Sequence, residues 1–370
     1  PVVSLGIDTW GVDFGLIDRN GKLLGNPVCY RDERTIGIPE KVSKILNPES
    51  HYATTGIQPL EINTLAQLFS IKGSAQLEAA EHLLFMPDLF SYFLTGEINN
   101  EYSIASTSEL LDARSRDWSW ETIEALGLPK HIFGKIVMPG SVRGTLRPEI
   151  AAETGLGEIQ VIAVGSHDTA SAVAAIPAVS EEEPVTFLSS GTWSLLGVEL
   201  PEPVLTKEAL AAEFTNEGAV GGGIRFLQNI TGLWILQRLM AQWKEDGEEQ
   251  NFENLLPAAQ EVQISSLIPV ADPAFTNPPS MESAITDYCR KSEQPVPQTK
   301  AQMTRCVLQS LAAKYREAIQ GMTSVLHHRP TRLHIIGGGS QNALLNQLTA
   351  DALEIPVWAG PIEATAMGNI

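Results

Sequence analysis

Val161-Ile162-Ala163-Val164-Gly165-Ser166-His167-Asp168-Thr169, with the small residues that follow to Ala175, is the stretch on which the fold turns. Its apolar opening, rich in β-branched residues, reads as a buried strand, and Gly165 marks the exit. Residues 169–175 read as a helix of small residues. An acid at such a strand-to-helix junction sits where open α/β sheets place their ligands. There Asp168 is suited to take a hydroxyl proton as a general base. Asp168 also suits the N-cap of a helix starting at Thr169, and position alone favours the cap. A Ser166-His167-Asp168 hydrolytic triad is excluded, because adjacent residues after a strand point to opposite sides and triads assemble in space.

The same form recurs outward from this point. Ile7-Asp8-Thr9-Trp10-Gly11, Leu188-Ser189-Ser190-Gly191-Thr192 and Ile335-Ile336-Gly337-Gly338-Gly339-Ser340 each carry an apolar strand into a tight polar turn. Glycine lets a backbone approach a ligand, and exposed N–H groups with hydroxyls suit phosphate oxygens. None is a Walker loop, since no Gly-Lys-Ser/Thr occurs. Each alone is an ordinary turn. Together they point to a nucleotide.

Between these turns the pattern alternates. Residues 2–7 and 12–17 read as strands, and Asn20-Gly21 signals a hairpin before Lys22, so the chain is expected to open with a β-meander. Residues 64–69 and 75–86 read as helical, and 89–94 as a short helix closed by Gly96. Residues 229–243 read as one long helix. Residues 302–326 carry Val307, Leu308, Leu311, Tyr315, Ile319 and Met322 at helical spacing. A strand at 333–336 and a helix at 342–353 follow. The alternation predicts α/β architecture in two halves. The divide falls near residues 177–184, giving domains 1–178 and 179–370.

Composition narrows the function. The chain has 370 residues, more than one domain usually holds. Lys and Arg number 25 against 44 Asp and Glu, a net charge of −19. That field repels phosphate backbones, which argues against nucleic acid as a partner, while glycine turns and helix N-termini still bind phosphate locally. No run approaches the ~20 apolar residues of a membrane span. Three cysteines cannot staple a chain of this length, so a reduced, cytoplasmic setting is expected. Cys289 and Cys306 read as core thiols, able to pair only if their helices meet. The seven histidines are scattered and form no metal motif. His327-His328 reads as a helix end, and Trp118 and Trp120 as packing anchors. Trp10, beside a glycine, suits stacking on a sugar face, although core packing is the commoner use of tryptophan.

At these residues the chain resembles the FGGY family of carbohydrate kinases. The matching stretches are Ile7-Asp8-Thr9-Trp10-Gly11-Val12-Asp13-Phe14, Tyr30-Arg31-Asp32-Glu33-Arg34-Thr35, Met86-Pro87-Asp88 through Leu94-Thr95-Gly96-Glu97, Ser166-His167-Asp168-Thr169-Ala170-Ser171-Ala172, Ser189-Ser190-Gly191-Thr192-Trp193-Ser194, Asn229 through Gly232-Leu233-Trp234 to Gln237-Arg238, and Gly337 to Gln347. They run in family order along essentially the whole chain. The resemblance implies an actin-like, ribonuclease H-like fold of two α/β domains around a central cleft, the first binding sugar and the second nucleotide. It implies ATP and Mg²⁺, and phosphorylation of a ketose: L-rhamnulose at its first carbon, with L-fuculose or L-xylulose as variants. The catalytic base falls on Asp168. Sugar contacts fall on Gly11, His167, Asp168 and Thr169, and nucleotide contacts on Thr192, Asn229, Gln237 and Gly338. To the sugar side the residues themselves add Trp10, for stacking, and Asp13, as a polar group. Asp32 is expected to brace the site through salt bridges. The alternatives are a catalytically silent sugar- or nucleotide-binding sensor and an actin-like ATPase. The family's first phosphate hairpin, which precedes the 2–7 strand in relatives, and its segment after Asn369 are not in the chain. A piece of a longer protein is therefore expected.

Overall fold

Ser4–Gly6 finds its partner far along the chain. It pairs in parallel with Gln160–Ile162, Leu5 facing Val161, and Val142–Thr145 adds antiparallel on the other side. In this computed structural model residues 2–177 and 183–370 are described. They form two compact units. One comprises residues 2–177 with Glu199–Leu227 and Thr365–Ile370, and the other residues 183–198 with Gln228–Ala364. The expected cut at 178/179 lies outside the described residues. Two later stretches return to the first unit.

The expected opening meander does not form. Phe14–Asp18 pairs antiparallel with Ala80–Phe85, not with Ser4–Gly6. Residues 7–13 are diverted instead toward 166–168, where Thr9 N–H donates to the Ser166 carbonyl and Asp168 N–H to the Thr9 carbonyl, both at 2.9 Å. The turn at Asn20-Gly21 survives as a small loop that brings Leu23 back beside Ile17. Ala80–Phe85 also corrects the helix expected over 75–86: Ala75–Glu78 is helical, the strand follows, and Met86 starts a separate helix, Met86–Thr95. Leu83, Leu84 and Phe85 are wholly buried. So short an apolar run has no period that separates a strand from a buried helix. Phe14 and Leu16 pack with Leu65, Leu68, Ile104, Ile123, Trp118 and Phe133 into the first unit's core. Trp118 is the anchor expected of it, whereas Trp120 is 41% exposed.

In the second unit, Thr186–Ser190 pairs antiparallel with Trp193–Leu200 on one side and parallel with Leu333–Ile336 on the other, and Val357–Ala359 follows in parallel. The helix Lys300–Leu326 buries the expected apolar face and stops where His327 turns left-handed, at φ 54°. Cys289 and Cys306 are buried free thiols, and burial pushes the Cys306 thiol up to about 12. The long helix expected over 229–243 is corrected. Ile224–Thr231 is a strand, and the helix Trp234–Glu245 starts only after Gly232. Alternating strand burial and helical periodicity overlap at that junction, and the turn decides it.

Candidate active site

In the first unit, the Thr9 bridge lays the turn 9–13 against the Ser166–Asp168 junction. Gly11 packs there so tightly that a β-carbon would stand 3.4 Å from His167 Nε2 and 3.3 Å from Thr107 Oγ1. Val12 sits at φ 66°, a conformation that costs a β-branched residue about 1–3 kcal/mol. Thr64 Oγ1 holds its carbonyl at 2.7 Å. Asp13 is buried, and each carboxylate oxygen has a donor: Trp10 Nε1 at 2.9 Å and Gln67 Nε2 at 3.2 Å. Burial pushes the Asp13 carboxyl up, and these donors oppose it. Trp10, 46% exposed as a residue, is thereby held at one edge of its ring. Asp32 caps a turn by accepting Arg34 N–H at 3.0 Å, and Arg34 Nη2 donates to Gln67 at 2.9 Å. The bracing expected of Asp32 as salt bridges thus runs as a hydrogen-bond chain through Arg34 and Gln67 to Asp13.

Asp168 opens the helix Asp168–Ala174 and is not its cap. The N-cap is His167, with no side-chain cap bond. The Asp168 carboxylate accepts only the neighbouring Thr169 hydroxyl, at 3.2 Å, among the hydrogen bonds of the described residues. Its side chain is 44% exposed, whereas that of His167 is nearly buried. His167 Nε2 lies 3.5 Å from Asp168 Oδ1, so these neighbours do face each other, contrary to expectation. Ser166 turns away, its hydroxyl donating to the Val164 carbonyl at 3.3 Å, which leaves no triad.

Two buried charges stand behind His167. Glu217 and Arg225 face each other in register across the hairpin of Thr215–Gly218 and Ile224–Thr231. Arg225 Nη2 is 3.1 Å from Glu217 Oε2 and 3.0 Å from His167 Nδ1. Burial opposes the charge on Glu217, but Arg225 and His167 prevail and hold its carboxyl below the usual range. Neither residue figured among the expected site residues. The available signal was an arginine inside the apolar run Ile224-Arg225-Phe226-Leu227, opposite a glutamate across the Gly221-Gly222-Gly223 turn.

Two more acids were missed. Glu101, wholly buried, accepts Ser103 N–H, Ser103 Oγ–H, Ile104 N–H and Ser166 N–H at 2.7–3.2 Å, and so ties the junction to the segment after it. Burial pushes its carboxyl up to about 7 against these donors. Asp8 is bonded by the Asn369 amide. Burial raises its carboxyl, the nearby Asp168 charge pushes the same way, and the Asn369 bond opposes them.

In the second unit, the turn 191–192 is woven onto the start of the helix Trp234–Glu245. Gly232 N–H and Trp234 N–H donate to the Thr192 carbonyl at 3.1 and 3.2 Å, and Leu233 N–H to the Gly191 carbonyl at 3.0 Å. Thr192 Oγ1 donates to Gln237 Oε1 at 3.2 Å, which joins two of the expected nucleotide residues. Asn229, half-buried, lies on the strand before Gly232. Gly338 opens a short turn, Gly338–Gln341, and a β-carbon on it would meet open space. One on Gly339 would collide with Ser190. The turns after Ser190 and Ile336 thus pack on each other, and Gly338 is left facing outward.

Residues 1–175 match the N-terminal domain, and residues 186–370 the C-terminal domain, of the FGGY family of carbohydrate kinases. The chain belongs to this family. It is 46% identical over 372 residues to a rhamnulokinase of Bacteroides thetaiotaomicron, covering 100% of this chain and 76% of the relative. A rhamnulokinase of Pectobacterium atrosepticum is 45% identical over 371 residues, covering 99% of this chain and 72% of that protein. Among solved structures, a ligand-bound xylulose kinase from Lactobacillus acidophilus superposes with a TM-score of 0.80 at 14% identity, over 100% of this chain and 74% of that one. Plasmodium falciparum glycerol kinase with ADP gives 0.78 at 14%, with the same coverage. The fold is that of these sugar kinases.

Proposed function

We propose that this protein transfers the γ-phosphoryl group of ATP to the C1 hydroxyl of L-rhamnulose, giving L-rhamnulose 1-phosphate and ADP. The observation that carries the substrate is the 45–46% identity, over essentially the whole chain, to proteins named rhamnulokinase. L-Fuculose and L-xylulose kinases and a silent sensor have no comparable support.

Asp168 is the general base in this reading. Its half-exposed carboxylate, at the mouth of a helix and bonded only by Thr169, is free to meet a sugar hydroxyl. The hydroxyl O–H bond breaks and the proton passes to Asp168. The oxygen bonds to the γ-phosphorus as the link to the bridging oxygen of ADP breaks. Such transfer depends mostly on positioning and charge. Gly11, His167 and Thr169 border the sugar, with Trp10 stacking on it, and Asp13 holds Trp10. Thr192, Asn229, Gln237 and Gly338 receive the nucleotide. Asp8, a hard oxygen donor near Asp168, fits a Mg²⁺ ion held by few carboxylates and the phosphates. When bound, Mg²⁺ neutralises phosphate charge. Two domains with these roles, divided along the sequence at 178/179, complete the reading. No helix among the described residues is long and apolar enough to cross a membrane. A cytoplasmic setting suits the free thiols of Cys29, Cys289 and Cys306.

The test is ADP release from Mg-ATP by the intact protein with L-rhamnulose and a panel of other ketoses. Release dependent on L-rhamnulose supports the proposal. Preference for another ketose replaces the substrate, and silence on every sugar moves the protein to the sensor class.

A further inference from the structure

The hairpin behind His167 carries two buried charges that proton transfer at Asp168 does not use. Arg225 is wholly buried. Its Nε donates to the Gly218 carbonyl at 3.0 Å, which locks the guanidinium plane, and its Nη2 reaches His167 Nδ1 at 3.0 Å. A guanidinium has donors and no acceptor. Toward Arg225, Nδ1 can act only as an acceptor, and in that arrangement the imidazole proton sits on Nε2. Glu217 Oε2, 3.1 Å from the same Nη2 and 3.2 Å from Nδ1, balances the buried positive charge. His167 N–H donates to Ser103 Oγ at 3.2 Å, so the backbone beneath the ring is held as well. What remains free is Nε2–H, beside Gly11 and 3.5 Å from Asp168 Oδ1.

We propose that Arg225 and Glu217 are positioning residues that hold His167 in its Nε2–H tautomer, as a fixed donor beside the Asp168 carboxylate. This rests on the kinase reading above and sharpens the acceptor it implies. Neighbouring oxygens of a sugar then meet unlike groups. The hydroxyl that loses its proton faces the carboxylate, and the adjacent oxygen must accept from Nε2–H. A carbonyl oxygen only accepts, so an α-hydroxyketone satisfies both groups without reorienting. A polyol offers a hydroxyl there, whose own proton must first be turned elsewhere. The pair thus selects ketoses over the corresponding polyols.

The experiment is ¹⁵N NMR of the histidine-labelled, sugar-free protein, with His167→Asn used only to assign the signal among seven histidines. Kinetics of Arg225→Gln, Arg225→Lys and Glu217→Gln accompany it. The wild type should show His167 as the Nε2–H tautomer at neutral pH, and Arg225→Gln should lose that preference. In Arg225→Gln the KM for L-rhamnulose should rise by up to about tenfold, the size of one well-formed neutral hydrogen bond, while the KM for ATP stays within about twofold. Arg225→Lys keeps charge and a donor without the locked plane and should recover part of the loss. A wild-type Nδ1–H tautomer, or a normal sugar KM in both Arg225→Gln and Glu217→Gln, overturns the proposal. If Arg225→Gln fails to fold, the wild-type tautomer and Glu217→Gln decide it. The expected tautomer in a protein that phosphorylates no ketose defeats the kinase reading and leaves the positioning role standing. The wrong tautomer in an active ketose kinase does the reverse.

Discussion

Replacing Asp168 by asparagine removes a proton acceptor and little else. The side chain keeps its size. Its carbonyl oxygen still accepts from the Thr169 hydroxyl, now at 3.2 Å, and the backbone bond from Asp168 N–H to the Thr9 carbonyl at 2.9 Å is untouched. The side chain is 44% exposed, so the new amide N–H₂ finds water. Removing the charge also relieves Asp8, whose carboxyl Asp168 helps to raise. The folded protein therefore loses nothing in stability. A neutral amide cannot take the hydroxyl proton, and a positioned base is worth about 10²–10⁴ in rate, or about 3–5 kcal/mol of barrier. We expect kcat for L-rhamnulose to fall at least about a hundredfold, with the sugar Kd within about threefold. Coupled ADP release measures the first and calorimetric titration of sugar the second, with a thermal melt to verify folding. Near-normal turnover removes Asp168 from the role of base. A lost sugar Kd with unchanged kcat at saturation makes it a binding residue instead.

Other perturbations test other parts. Arg143 Nη2 bonds Asp88 Oδ1 at 2.6 Å with both side chains out of solvent. Arg143→Leu strands the carboxylate and should cost about 3–5 kcal/mol in a urea titration. Glu101 has a folded pKa of about 7, above the unfolded carboxyl, so the folded state binds the extra proton between roughly pH 4.5 and 7. Its contribution is present at the acid end of that window and lost as pH rises through it. The stability difference between wild type and Glu101→Gln should therefore shrink by up to about 3 kcal/mol from pH 4.5 to 7 and then level off, as unfolding at a series of pH values would show. Gly338→Ala should leave the melting temperature unchanged and raise the KM for ATP about tenfold, whereas Gly339→Ala, driven into Ser190, should lower the melt.

The junction at Gly165–Asp168 was legible because strand, turn and helix each announce themselves within a few residues. The buried face of Lys300–Leu326 was legible for the same reason, through its spacing. The opening meander was misread because a hairpin signal at Asn20-Gly21 says where the chain turns, not which strand lies beside which. Ser4–Gly6 takes its partner from residue 160 onward. The Ala80–Phe85 strand was hidden by its own hydrophobicity, since continuous burial erases the alternation that marks strands. His167 was found by its neighbour Asp168, but the ring's partners at 217 and 225 come from a distant hairpin, and only the placement of charge inside an apolar strand hinted at them. Glu101 and Asn369 carried no local sign at all, because their work is to hold backbone or carboxylate groups contributed by other parts of the chain.

Asn369 and Asp8 are 361 residues apart. Near Asn369, Gly368 lies so close to the Ser171 carbonyl that no side chain would fit between them. A ribosome adding ~5–20 residues per second needs on the order of half a minute to travel that distance. For all of that time a nascent chain holds Asp8 without its amide, and for the later part of it, once Asp168–Ala174 is made, it holds that helix without the backbone that packs on it. The first unit is therefore begun before the second and completed by residues that follow the second. A chain released after residue 364 would carry every residue assigned to the sugar and the nucleotide, yet its Asp8 carboxylate would have no amide partner and the Asp168 helix would lack its last neighbour.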